Sequence, residues 1–324
     1  MSVAVTGYVS RRILSIVPVW LGLSLLAFSL SSLAPGDPAE VMLRQQTGEP
    51  PGAAEVALLR QEMGLDQPFP VRYGRWLADA LRGDLGVSYS TGNPVARTLI
   101  MNLPPTLELA LSSLILAIIL GVPLGVVAAA KNGTAIDHSL RFVSLVGASI
   151  PAFVLGYLLI LFLAVNLRLF PVSGSGGWMY LALPALTLAL AESAALARLT
   201  RSSMMAVLRE DYVRTARAKG LRSASVLTRH ALRNALNPVV TLLGLRFGRL
   251  LGGAVIVEIV FSRAGLGTVM IDAIRDRDYS MIQGFILFIG SVFVASNLIV
   301  DVVYSRLDPR VRLDSEKEYR SAPG

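Results

Sequence analysis

Long apolar stretches separated by short polar segments dominate the pattern of this sequence. Six stretches carry almost no charge, and a helix of about 20 apolar residues is long enough to cross the hydrocarbon core of a bilayer. The six stretches are residues 13–33, 106–130, 142–165, 180–197, 239–261 and 281–304. The pattern therefore predicts an all-α fold, a polytopic membrane protein with six transmembrane helices.

The first apolar stretch follows Arg11 and Arg12, as the apolar part of a signal peptide would. However, it is long, it contains Pro18, and no small-residue cleavage site precedes Pro35. Signal peptides have a shorter apolar region and a small-residue site. We therefore interpret residues 13–33 as a retained transmembrane helix.

The polar segments predict how the rest of the chain is organised. Residues 1–12 precede the first helix and residues 305–324 form a tail. Residues 34–102 are too long for a simple turn, and a helix-like segment at Val71–Leu81 predicts a small packed lobe there. Residues 103–304 then form a core with transmembrane helices 2 to 6, including a long polar loop at 200–238.

Lysine and arginine are distributed unequally between the two sets of loops. The termini, residues 131–141 and residues 198–238 carry 18 of them, whereas residues 34–102, 166–179 and 262–280 carry 10. Loops rich in lysine and arginine remain in the cytoplasm. We therefore expect both termini and the 200–238 loop to be cytoplasmic, and the 34–102 lobe to be external.

Composition narrows the class of protein further. The chain has 324 residues, of which 53% are hydrophobic and only 16% are charged, against about 25% charged in ordinary soluble domains. This argues against a soluble enzyme, a disordered chain and a coiled coil. The net charge of +8 is accounted for by membrane topology, so we predict no nucleic-acid partner.

The sequence offers little catalytic or metal-binding chemistry. It contains no cysteine and two histidines, His138 and His230, neither of which has a second histidine or a thiol at ligand spacing. It also lacks the glycine-rich loop with lysine that holds nucleotide phosphates. We predict that the chain is not an enzyme and holds no metal or cofactor, so any ATP-driven step needs an ATPase on another chain.

The 200–238 loop has the pattern of two helices joined at a glycine. Ser202 or Ser203 is a candidate helix cap, and Lys219-Gly220 is typical of a helix end. A second helix would restart at Ser223 or Ser225 and stop near Asn237-Pro238. The small residues Ala216, Ala218 and Gly220 would let another surface approach closely, which predicts a docking site. The alternative is a basic connection without a partner.

Glycines recur every four residues in the fifth apolar stretch, at Gly244, Gly248 and Gly252. This spacing places them on one helix face, where another helix can approach closely. The face could line the translocation pathway or a subunit interface, or it could pack within this chain. Gly121 and Gly125 repeat the spacing in the second stretch.

Charged residues inside the apolar stretches are few and therefore informative, because a charge in the membrane usually faces a cavity, a partner or the protein interior. Arg246 and Arg249 could line the pathway or pair with acids. Glu258 could meet substrate amines or pair with an arginine of a loop. Glu192 is the one plausible ion-coupling carboxylate for a secondary transporter, and we expect Asp301 to be structural.

The last external loop contains three acidic residues, Asp272, Asp276 and Asp278, beside Arg275 and Arg277. One hypothesis is a contact surface for a protein that delivers substrate. The alternative is a charge-balanced, solvated loop.

Several motifs resemble those of a known family. The 214–221 segment Arg-Thr-Ala-Arg-Ala-Lys-Gly-Leu, followed by His230-Ala-Leu-Arg-Asn-Ala235 and Pro238, resembles the EAA coupling loop of bacterial ABC-importer permeases. More narrowly, the chain is similar to the dipeptide/oligopeptide/nickel permease family over about residues 8–313. Further matching motifs are Pro35-Gly36-Asp37-Pro38, Leu65-Asp66-Gln67-Pro68, Gly83-Asp84-Leu85-Gly86, Pro104-x-Thr106-Leu107-Glu108-Leu109, Gly265-Leu266-Gly267, Arg277-Asp278-Tyr279 and Leu307-Asp308-Pro309-Arg310. The sequence departs from the family pattern by having Arg214-Thr215-Ala216 where Glu-Ala-Ala is usual.

This resemblance implies partners and a role for the loop. A second, homologous permease subunit would complete the translocation pathway, and an extracytoplasmic binding protein would deliver the substrate. Two ATPase subunits or domains, which bind ATP and Mg, would dock on the coupling loop through Arg214, Thr215, Ala216, Lys219, Gly220 and Leu221. The chain would lie among the lipids of the bacterial inner membrane.

The resemblance leaves the substrate open. We predict di- or oligopeptides first, with nickel or other metal chelates and glutathione as alternatives. A secondary transporter is the alternative outside this class.

Overall fold

The computed structural model describes the backbone of residues 2–33 and 36–307, and the side chains of residues 17–33, 36–244 and 246–298. The helices are α1 Ser2–Leu33, α2 Pro38–Thr47, α3 Ala53–Glu62, α4 Phe69–Leu81, α5 Val95–Ala130, α6 Ala135–Ser149, α7 Ala152–Leu159, α8 Gly177–Val207, α9 Asp211–Ala218, α10 Ser223–Ser225, α11 Leu232–Ala235, α12 Asn237–Val260, α13 Leu266–Arg275 and α14 Tyr279–Leu307. Two π-helical segments, Ile160–Asn166 and Val226–Ala231, follow α7 and α10. Within these described residues the fold is all-α, and one isolated bridge joins Val87 and Pro94.

Three helical segments are long and apolar enough to cross a membrane without a break, namely Val95–Ala130, Gly177–Val207 and Tyr279–Leu298. Three bent helix pairs also meet the length and composition criteria, so the described residues contain up to six spans. This count agrees with the six predicted stretches. The predicted boundary between lobe and core at residue 103 falls inside α5.

The third predicted stretch, 142–165, is not one straight helix. The segments Ala135–Ser149 and Ala152–Asn166 meet at an angle of 104°. Ile150 is extended, with φ −82° and ψ 125°, because a residue before proline avoids the helical region. Pro151 therefore ends α6, and α7 begins directly after it. The single-helix prediction was wrong here because it gave no weight to Pro151.

The chain forms two compact units. Of the described residues, the first unit comprises those up to 104 and those of 265–302, and the second comprises those of 105–264 and 303–307.

In the first unit, charged side chains join the segments that follow α1. Asp37 caps α2 by accepting a hydrogen bond from the Ala39 N–H at 3.0 Å. Arg60 of α3 pairs with Asp37 at 2.7 Å and with Asp66 at 3.0 Å, and these hydrogen bonds raise the Arg60 pKa. Arg60 thus connects two of the quoted motifs, which are far apart in the sequence.

Aromatic side chains pack α4 against α1 in the same unit. Phe28 of α1 is buried and contacts the ring of Phe69 edge-on, with centroids 5.3 Å apart. Tyr73 and Trp76 of α4 complete this cluster, and the Tyr73 hydroxyl lies 2.8 Å from the Ser24 hydroxyl. The segment between α1 and α5 therefore contains helices, of which α4 packs on α1.

The second unit contains a very close crossing of α5 and α8. A Cβ atom at Gly121 would lie 2.7 Å from the Ser193 carbonyl oxygen, and one at Gly125 would lie 2.6 Å from the Ala197 carbonyl oxygen. Real Cβ atoms essentially never approach other atoms this closely. The glycine spacing of the second stretch therefore serves packing within the chain.

Candidate functional site

The candidate site is the segment that follows α8. The prediction of a helix start at Ser202 or Ser203 was wrong, because α8 continues through both residues to Val207. Met204 is fully buried in a cluster with Ala129, Ala231 and Ala235. This packing keeps the segment helical past the serines. The helix that crosses α5 therefore leads, after a three-residue turn, into α9.

One face of α9 packs against the rest of the second unit. Val213 and Ala216 are buried and form a cluster with Val226, against which Val207 and Leu208 also pack. Tyr212 adds a polar contact, since its hydroxyl accepts a hydrogen bond from the Asn234 amide at 2.8 Å. These contacts hold α9 against both the end of α8 and the helices that lead to α12.

The other face of α9 is exposed. Arg214, Thr215, Lys219, Gly220 and Leu221 all expose their side chains or Cα atoms. Arg214 lies 3.3 Å from Asp211, but both side chains are largely exposed, and such pairs contribute little to stability. The exposed face is therefore basic and is not required for the fold of this chain.

Five of the six predicted coupling residues lie on this exposed surface, but Ala216 does not. Its relative exposure is 7%, and it faces Val226 and Leu208. The small side chain at Ala216 therefore permits close packing inside the chain. Ala218 and Gly220 are the small residues that remain exposed to another molecule.

Gly220 ends α9 in the predicted manner. Its φ is +78°, and its N–H donates to the Arg217 carbonyl oxygen at 2.9 Å. A Cβ atom at this position would meet no atom within 4 Å, so backbone conformation rather than space favours glycine.

The segment after Gly220 restarts and stops as predicted. A short helix begins at Ser223, and α11 ends at Ala235, just before Asn237-Pro238. Asn237-Pro238 also begins the next helix, α12, because proline is tolerated in the first turn, where its missing N–H leaves no hydrogen bond unmade.

Arg246 and Glu192 form an ion pair between α12 and α8. The Arg246 Nη1 atom lies 3.0 Å from Glu192 Oε2, and both side chains are mostly buried. This arrangement corresponds to the acid-pairing alternative for Arg246, and it also gives Glu192 a partner. Arg249, one turn further along α12, is exposed.

The three glycines of α12 differ in their surroundings. Gly248 is buried and Gly244 is half-buried, whereas Gly252 is exposed. A Cβ atom at Gly252 would meet no atom within 4 Å. At Gly252 the helix face is therefore open to another molecule.

Glu258 is enclosed rather than open to a substrate. It is fully buried and accepts a hydrogen bond from the Thr106 hydroxyl at 2.6 Å. Nearby, Arg263 is buried and pairs with Glu108. Thr106 and Glu108 belong to one of the quoted motifs, and sequence reasoning did not single them out. The feature of the sequence that could have identified them is the alternation of polar Thr106 and Glu108 around apolar Leu107.

The three acidic residues of the 272–278 segment do not form one surface. Asp272 is exposed and Asp276 is half-buried, but Asp278 is buried. Asp278 accepts hydrogen bonds from the Ser88 hydroxyl at 2.5 Å and from the Met281 N–H at 3.0 Å, which caps α14. The hypothesis of a protein-contact surface therefore needs correction, since Asp278 stabilises the first unit and only Asp272 and Asp276 remain available.

Near Asp278, burial raises the pKa of Tyr89 to about 12, and the negative charge of Asp278 contributes to the same shift. Tyr89 is therefore neutral at physiological pH and adds no charge to this surface. The side chains of Asp301 and Asp308 lie outside the described residues.

Sequence comparisons place these features in context. A sequence model described as "Binding-protein-dependent transport system inner membrane component" matches residues 121–313, and its N-terminal companion matches residues 5–110. The chain is 41% identical over 315 residues to a probable peptide ABC transporter permease protein, y4tP, of Sinorhizobium fredii. It is also 41% identical over 306 residues to the glutathione transport system permease protein GsiC of Escherichia coli K12. Each alignment covers 94% of this chain and 99% of the relative.

Solved structures share the fold at low sequence identity. The MetNI methionine ABC transporter in an inward-facing conformation aligns with a TM-score of 0.54 and 18% identity, covering 64% of this chain and 94% of that chain. An amino acid ABC transporter crystallised with histidines aligns with a TM-score of 0.51 and 20% identity, covering 66% of this chain and 94% of that chain.

Proposed function

This chain belongs to the family of binding-protein-dependent transport system inner membrane components, and we propose that it carries di- or oligopeptides. It is a multi-pass inner-membrane permease subunit of an ABC importer, and a transport protein rather than an enzyme. The name of the Sinorhizobium relative supports a peptide substrate. The glutathione named for GsiC is itself a tripeptide, so it supports the same chemical class.

The proposed complex contains this chain, a second homologous permease, two ATPase subunits or domains and an extracytoplasmic binding protein. This sequence has no phosphate-binding loop. In the proposed complex, ATP and Mg are therefore bound by the ATPase subunits, which hydrolyse the ATP. Both termini and the α9 segment lie on the cytoplasmic side. The distribution of lysine and arginine supports this orientation.

The observation that carries the proposed coupling to ATPases is that α9 has one buried and one exposed face. Its buried face, with Val213 and Ala216, is fixed to the second unit. Its exposed face, with Arg214 and Thr215, is not required for the fold. A short helix that is rigidly held on one side and open on the other can receive a displacement from a partner and transmit it.

The contacts around α9 define where such a displacement goes. The cluster of Val213 and Ala216 also includes Val207 at the end of α8, and the close glycine crossing holds α8 against α5. Movement of the ATPases would therefore tilt α8 and α5 together. ATP binding would shift the population between inward-open and outward-open states, since a ligand favours the state that it binds more tightly.

The alternatives within the class are glutathione and nickel or other metal chelates. Outside the class, a secondary transporter needs an ion-coupling carboxylate in a span. Glu192 was the candidate for that role, and its pairing with Arg246 at 3.0 Å supports a structural role instead.

Uptake by the complete reconstituted complex tests the proposal. Labelled di- to hexapeptides, glutathione and a nickel chelate are offered separately, each with ATP and with a non-hydrolysable analogue. We expect ATP-dependent accumulation of peptides with the matching binding protein. Accumulation of glutathione without the other peptides would overturn the di- or oligopeptide assignment in favour of the glutathione alternative, and accumulation of the nickel chelate alone would overturn it in favour of the chelate. Uptake driven by an ion gradient without ATP would overturn the importer mechanism.

A further inference from the structure

A basic pocket lies between α6 and α8, away from the α9 surface. Its volume is about 470 Å³. The residues that line it are His138, Arg141, Phe142, Leu145, Arg198 and Arg201. Neither the ATPase surface nor the proposed pathway uses these residues.

The lining residues form an ordered pattern on the two helices. On α6, His138, Arg141, Phe142 and Leu145 follow the spacing i, i+3, i+4 and i+7, which places them on one face. On α8, Arg198 and Arg201 are three residues apart. On α6 the basic residues lie toward the N-terminal end and the apolar ones lie further along, while Arg198 of α8 reaches Ser144, beside the apolar residues.

The arginines have different amounts of unused hydrogen-bonding capacity. Arg201 donates to both carboxylate oxygens of Asp137, at 2.7 and 2.8 Å, and to Asn132 at 2.9 Å. Arg198 donates once, to the Ser144 carbonyl oxygen at 3.2 Å. The charge of Arg141 acts on the carboxylate of Asp137, but within the described part of the chain the Arg141 guanidinium makes no hydrogen bond or close ion pair. Arg141 and Arg198 can therefore bind an added anion.

Apolar groups next to these arginines are open to the surroundings. Phe142 is 67% exposed and Leu145 is 61% exposed. A free inorganic anion would gain no stabilisation from contact with these apolar side chains. A molecule with an anionic head and a hydrocarbon tail would satisfy both the arginines and the apolar side chains.

We propose that this pocket binds an anionic phospholipid, with its phosphodiester at Arg141 and Arg198 and an acyl chain along Phe142 and Leu145. Arginine matches phosphate oxygens geometrically, and basic pockets between membrane helices on the cytoplasmic side bind anionic head groups. The lipid would come from the leaflet facing residues 131–141. Because α6 packs on α8, which leads to α9, the bound lipid would stabilise the helix that carries the docking surface.

Native mass spectrometry of the complete detergent-purified complex tests this site. The complex is titrated with dioleoyl phosphatidylglycerol and, separately, with dioleoyl phosphatidylcholine, and bound lipids are counted. We expect the anionic lipid to bind more tightly. Arg141→Gln should weaken it about fivefold, since each arginine near an anionic lipid surface contributes about 1 kcal/mol.

Lys131→Gln is the matched control, because it removes one charge from the turn just before α6, outside the pocket. It should leave lipid binding unchanged. Equal weakening by both variants, or equal binding of the two lipids, would overturn the proposal and leave only a general charge effect. Thermal unfolding of Arg141→Gln should stay close to that of the unmodified complex, because Asp137 keeps its hydrogen-bonded partner Arg201.

A second arm distinguishes a lipid from free phosphate, which shares the same anionic chemistry. Phe142→Ser should weaken phosphatidylglycerol binding, and millimolar inorganic phosphate should not displace the lipid. Displacement by phosphate together with unchanged binding in Phe142→Ser would overturn the lipid assignment in favour of a soluble anion. Absence of any lipid signal from the pocket in the complete complex would also overturn it, as expected if a second subunit covers α6.

Discussion

Two groups of glycines in the second unit have opposite surroundings. Gly121 and Gly125 lie against the backbone of α8, where a Cβ atom would approach carbonyl oxygens to 2.7 and 2.6 Å. Gly220 and Gly252 have no atom within 4 Å of an added Cβ. The first pair is therefore needed to pack this chain on itself. The second pair lies where another molecule can approach. Substitutions in the first pair should therefore affect folding, whereas substitutions in the second pair should affect assembly of the complex or coupling to the ATPases.

The largest effect on the fold is expected at the α5–α8 crossing. Gly125→Ala should destabilise the chain by about 1–3 kcal/mol, because the added methyl group overpacks a fixed helix contact. Gly147→Ala on α6 is the control, since its Cβ would meet no atom within 4 Å. It should be neutral or stabilising, because alanine favours helices over glycine. Thermal unfolding of the purified chain measures both, and equal stability of the two variants would contradict the close crossing.

The next effect is expected at the end of α9. Gly220→Trp should reduce ATP-dependent uptake at least about fivefold, the lower range of typical coupling free energies, while the amount of folded permease stays the same. Gly133→Trp is the matched control, because Gly133 also has φ +78° and open space around its Cβ position. Similar loss of uptake in both variants would mean that backbone strain, rather than lost docking, is responsible.

The smallest effect is expected at Gly252. Gly252→Leu should leave the unfolding of the isolated chain within about 0.5 kcal/mol, as for other exposed positions. Because the position is open, a larger side chain should weaken association with the second permease or obstruct the pathway. Weaker association is measured by the fraction of this chain that is recovered in the complete complex. Obstruction of the pathway is measured by the uptake rate. No change in either would contradict both.

Much of the fold could be predicted from local pattern. The six spans could be predicted from the lengths of the apolar stretches alone, because the length of a spanning helix is set by bilayer thickness. The end of α9 at Gly220 followed from the rarity of positive φ in other residues. The helical nature of the 34–102 segment was visible from its apolar spacing around Val71–Leu81.

The remaining features depend on contacts between distant residues. Asp278 caps α14 and binds Ser88, 190 positions earlier, so no local pattern distinguishes it from the nearby exposed Asp272. The inward direction of Ala216 depends on Val226, which packs on it from a different helix. The spacing of Gly121 and Gly125 is the same as that of Gly248 and Gly252, yet Gly252 is exposed whereas both Gly121 and Gly125 lie against the backbone of α8.

Cross-linking at α9 tests the central claim most directly, because the chain contains no cysteine and a single introduced thiol is unambiguous. The purified chain carrying Ala218→Cys or Ala216→Cys is labelled with a benzophenone maleimide, assembled with its unlabelled partners into the complete complex and irradiated. The cross-linked partners are identified by mass spectrometry. The exposed Ala218 position should yield a product with the ATPase, whereas the buried Ala216 position should not. Products of Ala218→Cys that contain the permease but never an ATPase would contradict the assignment of α9 as the coupling helix.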